Sequence, residues 1–593
     1  MAYALETAQS QIQSLLEKAC SSSSFEMKNP PPKVDADLAV PLFRMAKESG
    51  KNPAAYAAEI AAGLELEGTL FESVSVTGGF VNFKLAESPF TERVFADFAE
   101  NGEEYGGSQV GAGRNIVIDF SSPNIAKPFS VGHLRSTIIG DSLYKILSFV
   151  GYRVIGDNHI GDWGTQFGKL LYAFDVWGDR QQVEANPIRE MLALYVRFHQ
   201  EAEKDPALEQ SARGWFKRLE EGDPEANELW QWARDASWEE FQRIYLRLGV
   251  KFDEVLGESF YNDHLDVVVK NAFDQGLAQW GEIEALPTEG QGEDEAGDGE
   301  DSKDVAQEKV ALIHLDDHGI ETPLLIQKSD GTSLYATRDL ATIDHREKTW
   351  KPAEILYVVG GEQKLYFRQL FKAAELLGSK AKCVHVPFGL IRLPAGKMST
   401  RKGNVIFLED VLEEAVSRSE AILEERDLSD QEKRQIAEVV GIGAVKFADL
   451  SQTRTKDVLF DWEKMLNMQG DSAPYLQYAY VRIQSILRKA SESVLVAPVD
   501  PSLLTEAQEM ALIKALARFP ETVGNAARSY YPHLIATYLV SLAREFSSFY
   551  KAVPILKTEP ASLAATRLEL ARRTAQVLQQ GLGLLGIACP QRM

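Results

Sequence analysis

At 593 residues the chain is too long for one hydrophobic core and predicts roughly three or four domains, while 45% hydrophobic and 25% charged residues describe an ordinary globular protein. Three scattered cysteines, Cys20, Cys383 and Cys589, form no CxxC pair and argue against both a disulfide framework and a structural zinc site, so no zinc or other protein-held metal is expected. A formal net charge of -24 opposes a nucleic-acid partner unless Lys and Arg gather locally, as they do at 392–402, 454–456 and 482–489.

The first thirty residues lack a basic start followed by an apolar core, and no apolar run approaches the length of a membrane span; a cytoplasmic protein with no membrane partner is expected. Residues 1–112 read as a small α+β unit. It has a helix over 6–20, helices through 36–62, and then the alternating Val74-Ser75-Val76 and Phe80-Val81-Asn82-Phe83 with Gly78-Gly79 between them. Glycines at 106, 107, 111 and 113 mark a linker.

Residues 113–460 read as an α/β, Rossmann-type nucleotide-binding domain. Ile116-Val117-Ile118 is a buried strand, Leu134, Ile138, Leu143, Ile146 and Val150 recur at near-helical spacing, and Val154-Ile155 opens a second strand, which together make a βαβ unit. At the turn between strand and helix, Gly132 lets a phosphate or adenine approach the backbone. The helix N-terminus supplies unpaired N–H groups, and His133 adds a proton donor aimed at the same anion. A largely helical insertion runs from about 188 to 250, and the Gly/Glu/Asp tract 289–304 cannot build a packed core, which makes it a flexible surface loop. A second crossover follows: the apolar run 355–359, Gly360-Gly361, a helix through 377, and Val384-His385-Val386. The ligand should lie outside the carboxyl ends of these strands. Lys397-Met398-Ser399-Thr400-Arg401-Lys402-Gly403-Asn404 packs three cations and two hydroxyls into one loop, suited to clamping a pyrophosphate. From 461 to 593 the chain is Ala/Leu-rich and all-helical, with Tyr475, Tyr478 and Tyr480 followed by Arg482; such rings serve either as core or as platforms for splayed bases. No internal repeat is evident.

Either turn alone is a weak signal, since a His after Gly at a helix start is commonly a cap and a basic loop is commonly solvated surface. Together, and in this order, they resemble the paired HxGH and KMSKS signatures of class I aminoacyl-tRNA synthetases. The extended context FSSPNIAKP over 120–128, GHLRSTIIGD over 132–141 and GDWGTQFG over 161–168 resembles the arginyl-tRNA synthetases. Two departures stand out. Ser130 holds the place of the first His of HxGH, and Thr400 and Arg401 hold the places of the second Lys and second Ser of KMSKS. Lys127 would supply the missing cation.

The resemblance implies ATP, with Mg2+ accompanying it, L-arginine and tRNA(Arg) as partners, and a monomer. It implies that 1–112 contacts the outer corner of tRNA and that 461–593 is an anticodon-binding domain in which Tyr475, Tyr478 and Arg482 meet RNA. A guanidinium is planar, permanently charged and carries five donors, so a selective pocket needs a carboxylate with fixed acceptors beside it. Tyr335 and Asp339, four apart on one helical face, match the positions that hold the guanidinium in the family; Asn124, Gln363 and His133 or His159 match those addressing the amino and carboxylate ends, and Asp119 matches a further acidic pocket position. The implied chemistry is attack of the arginine carboxylate on the α-phosphate of ATP, then attack of the terminal ribose 2′-hydroxyl of tRNA on the arginyl-adenylate. His133 and its helix start serve the α-phosphate, and Lys397 with Lys402 or Arg401 the leaving pyrophosphate. At the level of residues three other readings stay open: a small-molecule nucleotidyltransferase with an HxGH turn, a class I synthetase for another amino acid, and a catalytically weak tRNA-binding paralogue, which Ser130 permits.

Overall fold

The computed structural model describes residues 2–20, 24–125, 127–283, 308–392 and 406–593. The acidic tract 289–304 and the basic run 397–404 lie outside the described residues. The chain opens with the Ala4–Ala19 helix, which buries Leu5, Ala8, Ile12 and Leu16 at helical spacing. Three strands follow, β1 (Leu38–Pro41), β2 (Phe71–Thr77) and β3 (Phe80–Leu85), in an antiparallel sheet of order β1-β3-β2. Helix through 36–62 is therefore corrected at its start. Leu38, Ala39 and Val40 pair with Phe83, Asn82 and Val81 and are buried, so a short apolar run of ambiguous period is decided by the strand waiting beside it. Helix begins at Phe43, and again at Pro53, where the Asn52 side chain accepts from the Ala54 and Ala55 N–H groups.

The central layer comes from β4 (Asn115–Asp119), β5 (Arg153–Asp157), β9 (Glu354–Tyr357) and β10 (Lys382–His385), while β6 (Ala278–Ile283), β7 (Glu308–Leu315) and β8 (Ile320–Lys328) form a separate antiparallel sheet beside it. The central sheet is wholly parallel and runs β10-β9-β4-β5. From β4 the chain crosses through the Val131–Phe149 helix to β5 on one side; from β9 it crosses through the Lys364–Leu376 helix to β10 on the other. Neighbouring β4 and β9 thus lead away in opposite directions, and the crevice outside their carboxyl ends is where such sheets take ligands. Register brings Asp119, the last residue of β4, opposite both Tyr357 and Asp157.

Between β5 and β6 the chain is helical, including Pro187–Ala202, Ala207–Glu220 and Pro224–Leu248. After two short parallel strands, β11 (Ile391–Arg392) and β12 (Val458–Leu459), the described elements from Trp462 onward are helices, chief among them Ala473–Arg488, Ala507–Ala517, His533–Ala552 and Ala561–Leu584. One continuous apolar core joins the first unit to this bundle. Tyr105, fully buried, stacks on Phe98 with ring centroids 3.7 Å apart, faces Phe519 at 6.4 Å and donates its hydroxyl to the Leu516 carbonyl at 3.1 Å.

Candidate active site

The strand β4 ends in a turn that few side chains tolerate. Ser121 and Ser122 both adopt left-handed backbone, at φ 73° and 47°, a strain of roughly 1–3 kcal/mol each that the surroundings must hold in place. They do so by polar contact. The Ser121 hydroxyl sits between those of Thr137 and Tyr245 at 2.8 and 2.7 Å, the Ser122 N–H donates to Asn158 Oδ1 at 3.1 Å, and the Ser122 hydroxyl donates to Asp119 Oδ1 at 3.0 Å. The turn then enters the Val131–Phe149 helix with Ser130 at its N-cap.

At that cap the Ser130 backbone N–H donates to His133 Nδ1 at 3.1 Å, and the ring lies parallel to Phe129 at 5.4 Å. Nδ1 is therefore an acceptor, which places the neutral ring's proton on Nε2. The Val131 and His133 N–H groups bond the Ile406 and Ser130 carbonyls, so a phosphate at this helix start would meet the imidazole N–H donor together with the Gly132 N–H. Gly132 is exposed, and a Cβ there would touch only Ser130 Oγ, at 3.3 Å. Packing within the protein does not demand glycine here, whereas close approach of a ligand does.

The acidic residues converge across the sheet end. Asp339 lies on the Tyr335–Trp350 helix and accepts the Tyr366 hydroxyl at Oδ2; burial, with help from the nearby Asp119 charge, pushes its carboxyl up to about 6. Tyr335 occupies the first turn of the same helix, half exposed, one turn before Asp339. Asp119 has a protein donor at each oxygen: Ser122 at Oδ1, and at Oδ2 Arg346 Nη2, 2.7 Å away. Arg346 is fully buried and also bonds Asp157 Oδ2 through Nε at 2.9 Å and Nη2 at 2.7 Å. Asn124 pairs by backbone beside Gly161, where a Cβ would come within 2.1 Å of Asn124 Oδ1, so the glycine makes room for that amide. His159 has Nδ1 3.0 Å from the Leu256 carbonyl, which makes Nδ1 the donor, and burial pushes its pKa down to about 4; its Nε2 is a neutral acceptor suited to an ammonium group. Gln363 closes an exposed single turn after β9. Lys127 is half-buried, and its charge acts on Glu258.

Lys397, Met398, Ser399, Arg401 and Lys402 lie outside the described residues, but the chain on either side of 393–405 is fastened to the same helix. Val131 N–H donates to the Ile406 carbonyl at 3.2 Å and Leu408 N–H to the Phe129 carbonyl at 2.9 Å; upstream, Arg135 Nη1 donates to the Gly389 carbonyl at 2.6 Å. On the helical bundle, Arg482 donates to the Tyr478 hydroxyl at 3.1 Å and lies over the rings of Tyr478 and exposed Tyr550 at 4.7 and 5.3 Å, with Tyr475 half-buried one turn earlier. Tyr480 belongs to the core. Arg454, one of the clustered cations, is corrected to an interior role: it is buried, bonds the carbonyls of Tyr530 and Pro387, and so offers little to a phosphate.

Sequence reading missed Glu258, Tyr366 and Arg346, which lie beside Asp119 and Asp339. Glu258 has a buried Oε2 that meets no donor among the described residues, and burial pushes its carboxyl up to about 8, with Arg338 opposing and Asp339 adding to the rise. Nothing in its local sequence signals this. Arg346 carried a usable signal: seven residues after Asp339, it shares that helix face. Asp119 and Asp157 are thus taken up by Arg346, while the negative charge of Asp339 acts on Glu258 against the opposing charges of Arg338 and Lys127.

Three family models match. "tRNA synthetases class I (R), catalytic domain" covers 97–285 and 301–462, "Arginyl tRNA synthetase N terminal domain" covers 6–85, and "DALR anticodon binding domain" covers 476–593. The chain is 42% identical to an arginine–tRNA ligase of Clostridium perfringens over 95% of each chain, and 43% identical to one of Streptococcus pneumoniae over 94% of each. Among solved structures it resembles the Thermus thermophilus arginyl-tRNA synthetase, at 26% identity, TM-score 0.78, and 98% and 99% coverage of the two chains. It shares its fold with the Plasmodium falciparum arginyl-tRNA synthetase, at 24% identity, TM-score 0.77 and 98% coverage of each.

Proposed function

The chain belongs to the arginyl-tRNA synthetases, class I enzymes that ligate arginine to tRNA with ATP, and on that premise we propose how its residues divide the work. What supports this division is that β4 ends in Asp119, whose charge acts on Asp339, and leads into the helix start that carries His133.

The guanidinium of L-arginine is held by Asp339, with Tyr335 against its plane and Glu258 as a second buried carboxylate; Asp119 acts one step removed, by fixing Arg346. Asn124, Gln363 and His159 address the amino and carboxylate ends. The arginine carboxylate oxygen forms a bond to the α-phosphorus of ATP while the bond to pyrophosphate breaks. His133 Nε2–H and the Gly132 N–H stabilise charge on the α-phosphate, and Lys397 with Lys402 or Arg401, assisted by Lys127, receives the pyrophosphate. Met398 and Ser399 belong to the same signature. The 2′-hydroxyl of the terminal adenosine of tRNA(Arg) then attacks the arginyl carbonyl and AMP leaves. Mg2+ would come with ATP as part of that substrate and would neutralise phosphate charge; the described residues contain no cluster of three His, Cys, Asp or Glu side chains that could hold a metal. Tyr475, Tyr478 and Arg482 stack on anticodon bases, and 1–112 contacts the outer corner of the tRNA. We place the domain boundaries near 112 and 460 and take the working species to be a cytoplasmic monomer; no helix among the described residues is long and apolar enough to cross a membrane.

Arginine-dependent exchange of pyrophosphate into ATP tests this division. It should require tRNA, and His133→Ala should lower it by about 10²-fold. Exchange that is unaffected by His133→Ala would make the turn a structural cap.

A further inference from the structure

We propose that Arg135 is a positioning residue for arginine activation, holding segments 389–392 and 456–459 against the first turns of the helix that presents His133; the proposal rests on the functional reading above. Its guanidinium is 1% exposed and each of its three nitrogens is engaged. Nε and Nη2 donate to the two oxygens of Asp449 at 2.9 and 3.0 Å, and Nη1 donates to the carbonyls of Gly389 at 2.6 Å and Lys456 at 2.8 Å. Phe388 lies beneath the cation at 5.7 Å. One side chain, two residues after His133, therefore gathers three separate stretches of chain.

The partners explain why arginine is needed. A buried ion pair roughly balances its own desolvation, so the Arg135–Asp449 pair is not required for stability and an apolar pair of similar volume would serve that purpose as well. An apolar pair cannot supply donors to the Gly389 and Lys456 carbonyls, and lysine, with three donors on one nitrogen, cannot span a carboxylate and two carbonyls at once. The second grip lies at the N-cap, where Val131 and Phe129 bond Ile406 and Leu408. The chain upstream and downstream of 393–405 is thus fixed to one helix start. The acidic pocket hangs on other elements: Asp339 on the Tyr335–Trp350 helix, Tyr366 on Lys364–Leu376 and Glu258 on the turn Glu258–His264, none of which bonds Arg135. A misplacement of about 1 Å at the reacting phosphate is enough to cost about 10²-fold in rate while leaving arginine binding intact.

The test is single-turnover adenylate formation per folded molecule, with total tRNA present, for Arg135→Met/Asp449→Leu and for Arg135→Lys. The double variant should fold with a Tm lowered by the two carbonyls left without a donor, and form adenylate about 10²-fold more slowly at unchanged arginine KM. Arg135→Lys should show the same split, and it decides the matter if the double variant does not fold. A parental rate in a folded variant, or an arginine KM that rises in step with the loss of rate, would overturn the positioning role. An inactive parent would overturn the functional reading itself, whereas an active parent with equally active variants would overturn only the role of Arg135.

Discussion

Burial pushes the carboxyl of Glu258 from an ordinary 4.5 up to about 8 and that of Asp339 from 3.8 up to about 6. An acid whose pKa is higher folded than unfolded holds its proton more tightly when folded. Its contribution to stability is therefore present below the unfolded pKa and is lost as pH rises through the folded one. For Glu258 that window runs from about pH 4.5 to about pH 8. Arginine, permanently charged, favours the ionised carboxylates, so its binding should release protons there. The arginine KM should fall between about pH 6 and about pH 8, and the rise in Tm caused by saturating arginine should grow over the same range. Glu258→Gln should flatten most of this dependence, and a pH-independent arginine KM in the parent would show that the buried carboxyls do not touch the substrate. His159, pushed down to about 4, stays neutral throughout and adds nothing to the slope. Asp339→Asn keeps the shape of the pocket but removes the counter-charge, so the arginine KM should rise at least about tenfold with the ATP KM unchanged, given roughly 1.5–3 kcal/mol for a charged hydrogen bond. Equal loss for both substrates would make Asp339 structural.

The first turn of the Val131–Phe149 helix shows what an element contributes beyond its residues. His133 is oriented by the backbone N–H of Ser130, a bond that any residue at 130 retains. Ser130→His should therefore leave folding intact and leave adenylate formation level or raised; a large loss in folded Ser130→His would mean that the hydroxyl, 3.2 Å from Nδ1, is the group that orients the ring. Strand, turn and helix here were legible because apolar period, glycine and histidine coincide within a few residues. The strand at Leu38–Pro41 was not, since three apolar residues carry no period of their own and only their pairing with β3 settles the matter. The site divides the same way. Tyr335 and Asp339 are singled out by the resemblance, their spacing on one helix alone being no more than a surface pair, whereas Glu258 and Tyr366 come from distant segments that only tertiary packing brings to Asp339.

Across the whole molecule, the outer units are joined through Tyr105 rather than strung on a loose linker. Gly106 follows that ring so closely that a Cβ would come within 2.5 Å of Phe519, and Lys514 reaches Asp37 at 2.6 Å across the same junction. Tyr105→Ala should cost about 3–5 kcal/mol and lower the unfolding of the first unit and the helical bundle together. A separate low-temperature transition in calorimetry would show that the two units are independent. The central claim is that the acidic group around Asp339 and the His133 turn serve one reaction, specific for arginine. It is tested most directly by offering total tRNA, ATP and Mg2+ with each of the standard amino acids in turn. Arginine alone should be attached, with attachment lost in both Asp339→Asn at low arginine and His133→Ala; charging with a different amino acid, or undiminished charging in both variants, would contradict it.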